Sequence, residues 1–330
     1  MSQYNILPAL TPDNFQPHAL HSDKYTWVEK NCYVDLYIEI IHAFNMDPCA
    51  MLPFTVASDF SGDQWTFFKP QISEIRDLYG IDIQEMSHWR TLLEHAVEHT
   101  GSGRIIGVEV DSYWLPDTAA TDYHMHHGKT TIAIIKLDIE NEQLHYFHNA
   151  GFYKLCGEDF RQIFKIGIAI PEDYLPPYAE LIHLESLVRH SSETLAEISY
   201  VLLQKYVRLR PKENPIQRYA MKFANDLPYI QEQGLDYYHL WAFNNTRQLG
   251  ASFELAATNL HWLTEAKMAD FTPAINSFNK ISDSNKALIL KVARAVNKKR
   301  PLDLSETFEQ MANDWEQGMQ CLVNTLDILD

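Results

Sequence analysis

The hydrophobic rhythm of the chain changes about halfway along. Up to about residue 170, short β-branched runs alternate with helix-like stretches. "RIIGVEVDSYWLP" (Arg104 to Pro116) opens as a strand, with Ile105, Ile106, Val108 and Val110 supplying the branched side chains and Pro116 ending the run. In "KTTIAIIKLDIENEQLHYFHNAG" (Lys129 to Gly151), residues 130–137 and 143–148 flank a turn at 139–142, which predicts an antiparallel hairpin. "QWTFFK" (Gln64 to Lys69) is a further short strand candidate. Helical spacing predicts helices over 32–45, 71–79, 87–99 and 157–164. After the Pro-rich joint "PEDYLPPYAE" (Pro171 to Glu180) the strand pattern gives way to helical periods over 178–206, 215–232, 236–249, 252–267, 271–295 and 304–328. Breakers such as Pro211, Pro215, Gly234, Gly250 and Pro301 separate most of them. The pattern predicts an α+β domain over 1–172, with an antiparallel sheet, and an all-helical region over 173–330.

Composition agrees with a folded chain: of 330 residues, 46% are hydrophobic and 22% charged. The net charge of -17, from 44 acidic and 27 basic residues, repels phosphate backbones and anionic lipid. Neither nucleic acid nor membrane is expected as a partner. Two basic stretches, "VRLRPK" (Val207 to Lys212) and "NKKRP" (Asn297 to Pro301), read either as solvated loops or as docking points for an acidic carrier protein. No run of 18 apolar residues occurs, and the N-terminal stretch lacks a basic start followed by an apolar run. A cytoplasmic setting with reduced thiols is the expectation. The four cysteines form no CxxC pair, so a zinc knuckle or thioredoxin motif is not indicated.

"WVEKNCYVDLYIEIIHAF" (Trp27 to Phe44) concentrates the chemistry. It reads as a helix apolar on most of its circumference. Asn31 is a good N-cap, and it places Cys32 in the first turn, where unpaired N–H groups and the helix dipole favour an anion. A thiolate there is expected to have a lowered pKa. Asp35, Glu39 and His42 continue one polar face behind Cys32. That stripe reads equally as a wetted part of a site or as a buried polar network holding the helix.

A thiol nucleophile needs a base and a group that orients it. "TDYHMHHGKTTIAIIKLD" offers His124, His126 and His127 at the mouth of one strand, and "HYFHNAG" offers His145, His148 and Asn149 at the end of the next. If the two strands pair about 139–142, His127 and Asn149 share one end of the hairpin. Five histidines in 25 residues raise the question of metal. No HExxH occurs and no Cys–His spacing fits zinc, so no metal is expected.

The order of these features resembles the papain and bacteriocin-processing cysteine peptidases: a helix headed by Cys, a strand closing with "VDSYWLPD", then "YHMHHGKTTIAI", then a strand ending near Asn149. More closely, it resembles the N-terminal domain of the butirosin biosynthesis acyltransferase family, through Asp111, Tyr113, Leu115 and Pro116 at the strand end and His124 with His127. The segments Asn31 to Glu39, Gly62 to Lys69, Tyr79 to Arg90, Glu109 to Thr118, Lys129 to Ile132, Tyr146 to Tyr153 and Arg247 to Ala257 resemble a bacterial family of similar length. These resemblances imply a papain-like catalytic domain with Cys32 as nucleophile and His127 as base, His124 being second choice. Asn149 is implied as the orienting residue, with Asp138 as the alternative. The papain-type oxyanion Gln is missing, since Thr26 stands upstream and no Gln lies between Gln16 and Cys32. The Cys32 N–H with Gln64 is the substitute considered.

The implied function is acyl transfer. An aminoacyl or acyl group would leave the phosphopantetheine arm of a carrier protein for Cys32, and a small-molecule amine would then accept it. No bound cofactor is expected. Hydrolysis on the same fold and non-catalytic binding of a carrier protein or ligand are the alternatives. Arg247, Glu254 and His261, spaced seven apart, could line an acceptor pocket or simply serve packing and ion pairing.

Overall fold

The structure is a computed structural model and describes residues 3–170 and 172–328. The chain divides into two compact units, each built from separate stretches of sequence. The first holds residues 1–22, 31–46 and 71–189, and the second holds 23–30, 47–70 and 190–330.

Within the first unit the elements run β1 (Gln3–Asn5), α1 (Cys32–Ala43), then, after the second unit's short strands β2 (Phe60–Ser61) and β3 (Gln64–Trp65), α2 (Ile72–Tyr79), β4 (Asp82–Glu85) and α3 (Leu92–Gly101). They continue through β5 (Ile105–Asp111), β6 (Lys129–Asp138), β7 (Gln143–His148), β8 (Gly151–Cys156), α4 (Glu158–Phe164) and β9 (Ala179–His183). One antiparallel sheet results, in the order β4-β9-β5-β6-β7-β8, with β1 pairing the far end of β6. The hairpin expected about 139–142 forms as β6 and β7.

Successive strand residues face opposite ways, so the registers assign the two faces. Ile106 opposite Ile134, Val108 opposite Ile132 and Val110 opposite Thr130 share one face. This face packs with Ala96 of α3 and with Phe160, Ile163 and Phe164 of α4 into one buried cluster. On the other face Gly107, Glu109 and Asp111 lie opposite Ala133, Thr131 and Lys129, and α1 covers part of it.

The local reasons for α1 are plain. Asn31 Oδ1 accepts from Tyr33 N at 3.1 Å and Val34 N at 3.0 Å, capping the helix start. Val34, Leu36, Ile38, Ile40 and Ile41 are buried on several sides, as suits a helix apolar nearly all round.

The expected helix over 178–206 is two elements. Ala179–His183 is strand β9, paired with both β4 and β5, and the helix α5 spans Ser192–Arg208. Pairing on both edges overrides the local helical spacing. The turn from α2 into β4 depends on Gly80, whose φ is +67° and where a Cβ would meet the carbonyl oxygen of Ser186, just after β9, at 1.9 Å. Strand β8 was not anticipated, and the expected strand over 64–69 shrinks to the two residues of β3.

The second unit is helical: α5, α6 (Pro215–Gln233), α7 (Leu235–Asn244), α8 (Thr246–Glu265), α9 (Thr272–Lys298) and α10 (Ser305–Thr325). It also holds the β2–β3 hairpin and a 3-10 segment, Pro48–Ala57. Early segments are stitched to late helices. Glu254 accepts from Thr26 N at 2.6 Å and Trp27 N at 3.0 Å, and the Trp27 indole donates to Ser282 Oγ at 2.8 Å. Trp262 Nε1 donates to Asp47 at 2.8 Å. Glu254, a possible pocket residue from sequence, is therefore a buried acceptor for the 26–27 backbone.

Candidate functional site

Cys32 begins α1, as the capping pattern predicted, and the residue is partly exposed. Its side-chain hydrogen bond among the described residues comes from Thr131 Oγ1, 3.8 Å away. The expected lowering of its pKa is reversed. Burial pushes the Cys32 thiol up, and Asp35 and Glu109 push the same way, against the Thr131 hydroxyl. The thiol is neutral at rest.

The polar stripe on α1 resolves as a buried network. His21 lies between the two carboxylates: Nε2 is 3.0 Å from Asp35 Oδ1, and Nδ1 meets Glu39 Oε1 in a short contact. All three side chains are 0% exposed. Glu39 also accepts from His18 N at 3.0 Å, and His42 Nε2 reaches Gln16 O at 3.2 Å. Both nitrogens of His21 face carboxylate oxygens, so the ring bridges the two side chains. The stripe pins residues 16–21 onto α1 and is not part of a wetted site.

Beside Cys32 the sheet face is polar. Tyr33 donates to Glu109 Oε1 at 3.4 Å, and Lys129 Nζ donates to the same oxygen at 2.8 Å. Glu180 accepts from Tyr37 at 2.8 Å and from Tyr178 at 2.8 Å. Burial raises the Tyr33, Tyr37 and Tyr178 phenols, with Glu180 adding to each, so all three stay protonated donors.

His127 sits at the mouth of β6 and is 70% exposed. Its Nδ1 lies 2.6 Å from Asp111 Oδ2, and its ring stacks on Tyr113 at 4.4 Å between centroids. The other Asp111 oxygen accepts from Tyr113 N at 3.1 Å and Gly128 N at 3.3 Å. The carboxylate is thus fixed by the backbone and fixes the ring, and Nε2 has no hydrogen bond among the described residues. A cavity of about 430 Å³ opens here, with Glu109, Asp111, His127, Lys129 and Lys165 on its wall.

The other expected residues fall elsewhere. No hydrogen bond joins Cys32 to His127, or His127 to Asn149, among the described residues. Thr131, the neighbour of Cys32, is four residues from His127, about 13 Å along an extended chain. Asn149, with φ 45°, forms the two-residue turn between His148 and Gly151 of the β7–β8 hairpin. Asn tolerates that left-handed geometry, which explains it without catalysis. Asp138 lies at the opposite end of β6, roughly 30 Å from Lys129 along the strand. It accepts from Asn141 and Gln3 at the β6–β7 turn, so it cannot orient His127. His124 stacks on Tyr123 at 4.0 Å and approaches Asp159 at 3.4 Å. Gln64 is exposed on β3 in the second unit.

One network was missed from sequence. Thr130 Oγ1 is 2.7 Å from His148 Nε2, and His148 Nδ1 is 2.5 Å from Asp117 Oδ2. Asp117 Oδ1 accepts from Tyr146 at 2.5 Å. The order hydroxyl, imidazole, carboxylate matches a catalytic relay. It lies on the sheet face away from Cys32, however, and the His148 ring is only 2% exposed. It fastens the turn at 116–118 to β7. The signal was Tyr146 and His148 at i and i+2, on one strand face, with Asp117 directly after a Pro. Among the described residues no group of three or more His, Cys, Asp or Glu side chains is placed to hold a metal ion. Nor is any helix among them long and apolar enough to cross a membrane.

These features define a mixed α/β protein with a thiol-headed helix on an antiparallel sheet and a helical C-terminal region. Residues 16–184, more than half of the chain, match the DUF1839 N-terminal domain, and residues 192–324 match the DUF1839 C-terminal domain. The chain belongs to the DUF1839 family. No curated protein matches it.

Proposed function

We propose that this protein performs acyl transfer through Cys32 on a papain-like frame of helix and sheet. In this reading an acyl or aminoacyl group leaves a carrier protein's phosphopantetheine thioester. The Cys32 sulfur attacks the thioester carbonyl, a new C–S bond forms, and the arm departs as a thiol. A small-molecule amine then attacks the Cys32 thioester, forming a C–N bond and releasing the Cys32 thiol. The observation that supports this is the shared wall. Glu109 lies opposite Thr131, the neighbour of Cys32, and also lines the cavity that holds the His127–Asp111 pair.

Because the resting thiol is neutral, a base must take its proton as sulfur attacks. His127 is the candidate, with Asp111 replacing Asn149 as the residue that fixes its tautomer. Its Nε2 closes on the sulfur, or on the substrate between them, only when substrate is bound, as is common for catalytic contacts that are long in the free state. The same neutral, imidazole-free thiol also favours a second reading, a binding protein in which Cys32 forms no covalent bond.

One experiment separates the two. The protein is incubated with an aminoacyl-pantetheine thioester and its intact mass is measured. Acyl transfer requires an adduct on wild type that maps to Cys32, disappears in Cys32→Ala, forms more slowly in His127→Ala, and is discharged by an added amine. No adduct on wild type, or an undiminished adduct in Cys32→Ala, overturns the reading.

A further inference from the structure

The cavity beside His127 does not end there. A second one, of about 410 Å³, shares Leu92, Ile163, Lys165, Tyr174 and Pro177 with it and runs on to Trp89 and Arg90. The two form one groove in the first unit, within the size range of small-molecule sites. Its polar end holds the His127–Asp111 and Lys129–Glu109 pairs.

Two independent observations point to a ligand. The first is where apolar surface is left in water. Among the described residues of the first unit six large hydrophobic side chains are exposed, and four of them border this groove: Trp89 at 78%, Leu175 at 84%, Ile170 and Tyr174. Exposed apolar groups scattered singly need no explanation, but a cluster around a concavity marks a binding surface.

The second is charge. In a chain of net charge -17, Lys129 at the polar end is neutralised by its carboxylate partner Glu109. Lys165 is not. It caps α4 with φ 56°, is half-buried, lines both cavities, and its ammonium has no ion pair or hydrogen bond among the described residues. Arg90, at the other end, has its guanidinium over the Trp89 ring at 4.8 Å, and its contact to Glu98 is a loose 3.9 Å. An unpaired ammonium midway along an apolar groove fits one class of occupant.

We propose that this groove binds an amphipathic organic anion. The anionic group sits at Lys165, and the apolar chain or ring lies along Leu92, Ile163 and Tyr174 towards Trp89. This inference does not depend on the thiol chemistry, since the binding groups lie away from Cys32.

The test is calorimetric titration of the full chain with decanoate, and with decyltrimethylammonium as a cation of matched length. Decanoate should bind saturably at one site, at least tenfold more tightly than the cation, and should change tryptophan fluorescence more in wild type than in Trp89→Phe, which keeps Trp114 on the wall. Lys165→Met should weaken decanoate at least tenfold and leave the cation unaffected. Leu175→Ser, at a position too exposed to disturb folding, should weaken both decanoate and the cation. Cys32→Ala should bind decanoate as wild type does, whatever becomes of acyl transfer. No saturable decanoate binding, equal binding of the two probes, or an unchanged affinity in Lys165→Met overturns the proposal.

Discussion

His21 offers the sharpest test of what holds the first unit together. Its ring contacts Asp35 at 3.0 Å and also Glu39, and none of the three side chains touches solvent. His21→Ala removes the ring that bridges two buried carboxylates. Breaking a buried pair by deleting one partner costs about 3–5 kcal/mol, mostly for the charge left without compensation. The small cavity left by the ring adds to this. With a urea dependence of about 2.5 kcal/mol per molar, the unfolding midpoint of the first unit should fall by roughly 1–2 M. The assay is urea denaturation at pH 7 followed by circular dichroism, alongside His21→Ala/Glu39→Gln. The second change removes one of the stranded charges, so the double variant should recover a third or more of the loss. A midpoint shift below about 0.3 M for His21→Ala, or a double variant weaker than the single one, would refute the assignment of a charge-compensating network.

Three further outcomes follow from other parts of the molecule. Burial, with Lys136 and Lys154 nearby, pulls the His145 pKa down to about 4, so the unfolded chain binds a proton below its ordinary value of 6.5 before the folded chain does. Stability from this residue is present above pH 6.5 and falls as pH drops towards 4, by up to about 3 kcal/mol, and His145→Phe should flatten that part of the urea-midpoint profile. Thr131→Val removes the hydroxyl that draws the Cys32 pKa down, so the pH profile of Cys32 alkylation, read by peptide mass mapping, should move to higher pH; an unmoved profile would remove Thr131 from the site. Asn149→Gly should keep full stability while Asn149→Ala loses about 1 kcal/mol, because the residue serves a left-handed turn; loss of acyl transfer in a stable Asn149→Gly would restore a direct role.

Much of the first unit was readable because local and global signals agree there. The Asn31 cap and the apolar run behind it place the start of α1, and β-branched runs about residues 139–142 give the β6–β7 hairpin. Strand β9 was not readable. "AELIH" suits helix or strand about equally, and only its neighbours β4 and β5 decide the matter. The site was legible by residue type rather than by pairing. Asp111, Tyr113 and His127 were all singled out, but it is the β5–β6 register, Asp111 opposite Lys129, that brings them together. The meaning of Asp35 and Glu39 lay in His21, a residue 14 and 18 positions upstream with no local pattern to connect it. The thiol pKa went the other way because burial and two nearby carboxylates outweigh the helix terminus, and neither is visible in a capping motif.

The interleaving of the two units bears on how the chain matures during translation. By the time residue 189 has been made, every stretch of the first unit exists, but residues 23–30 and 47–70 still lack the α8–α9 partners that hold Trp27 and Asp47. Ser282, the later of these partners, lies 93 residues beyond 189, roughly 5–19 s of synthesis at 5–20 residues per second. Through that interval both segments, including the apolar run "CAMLPFTVA" (Cys49 to Ala57), lack their partners while every stretch of the first unit is already present. The ribosome-bound chain is therefore most exposed to chaperones, and to aggregation, just after the last stretch of its first unit has been synthesised.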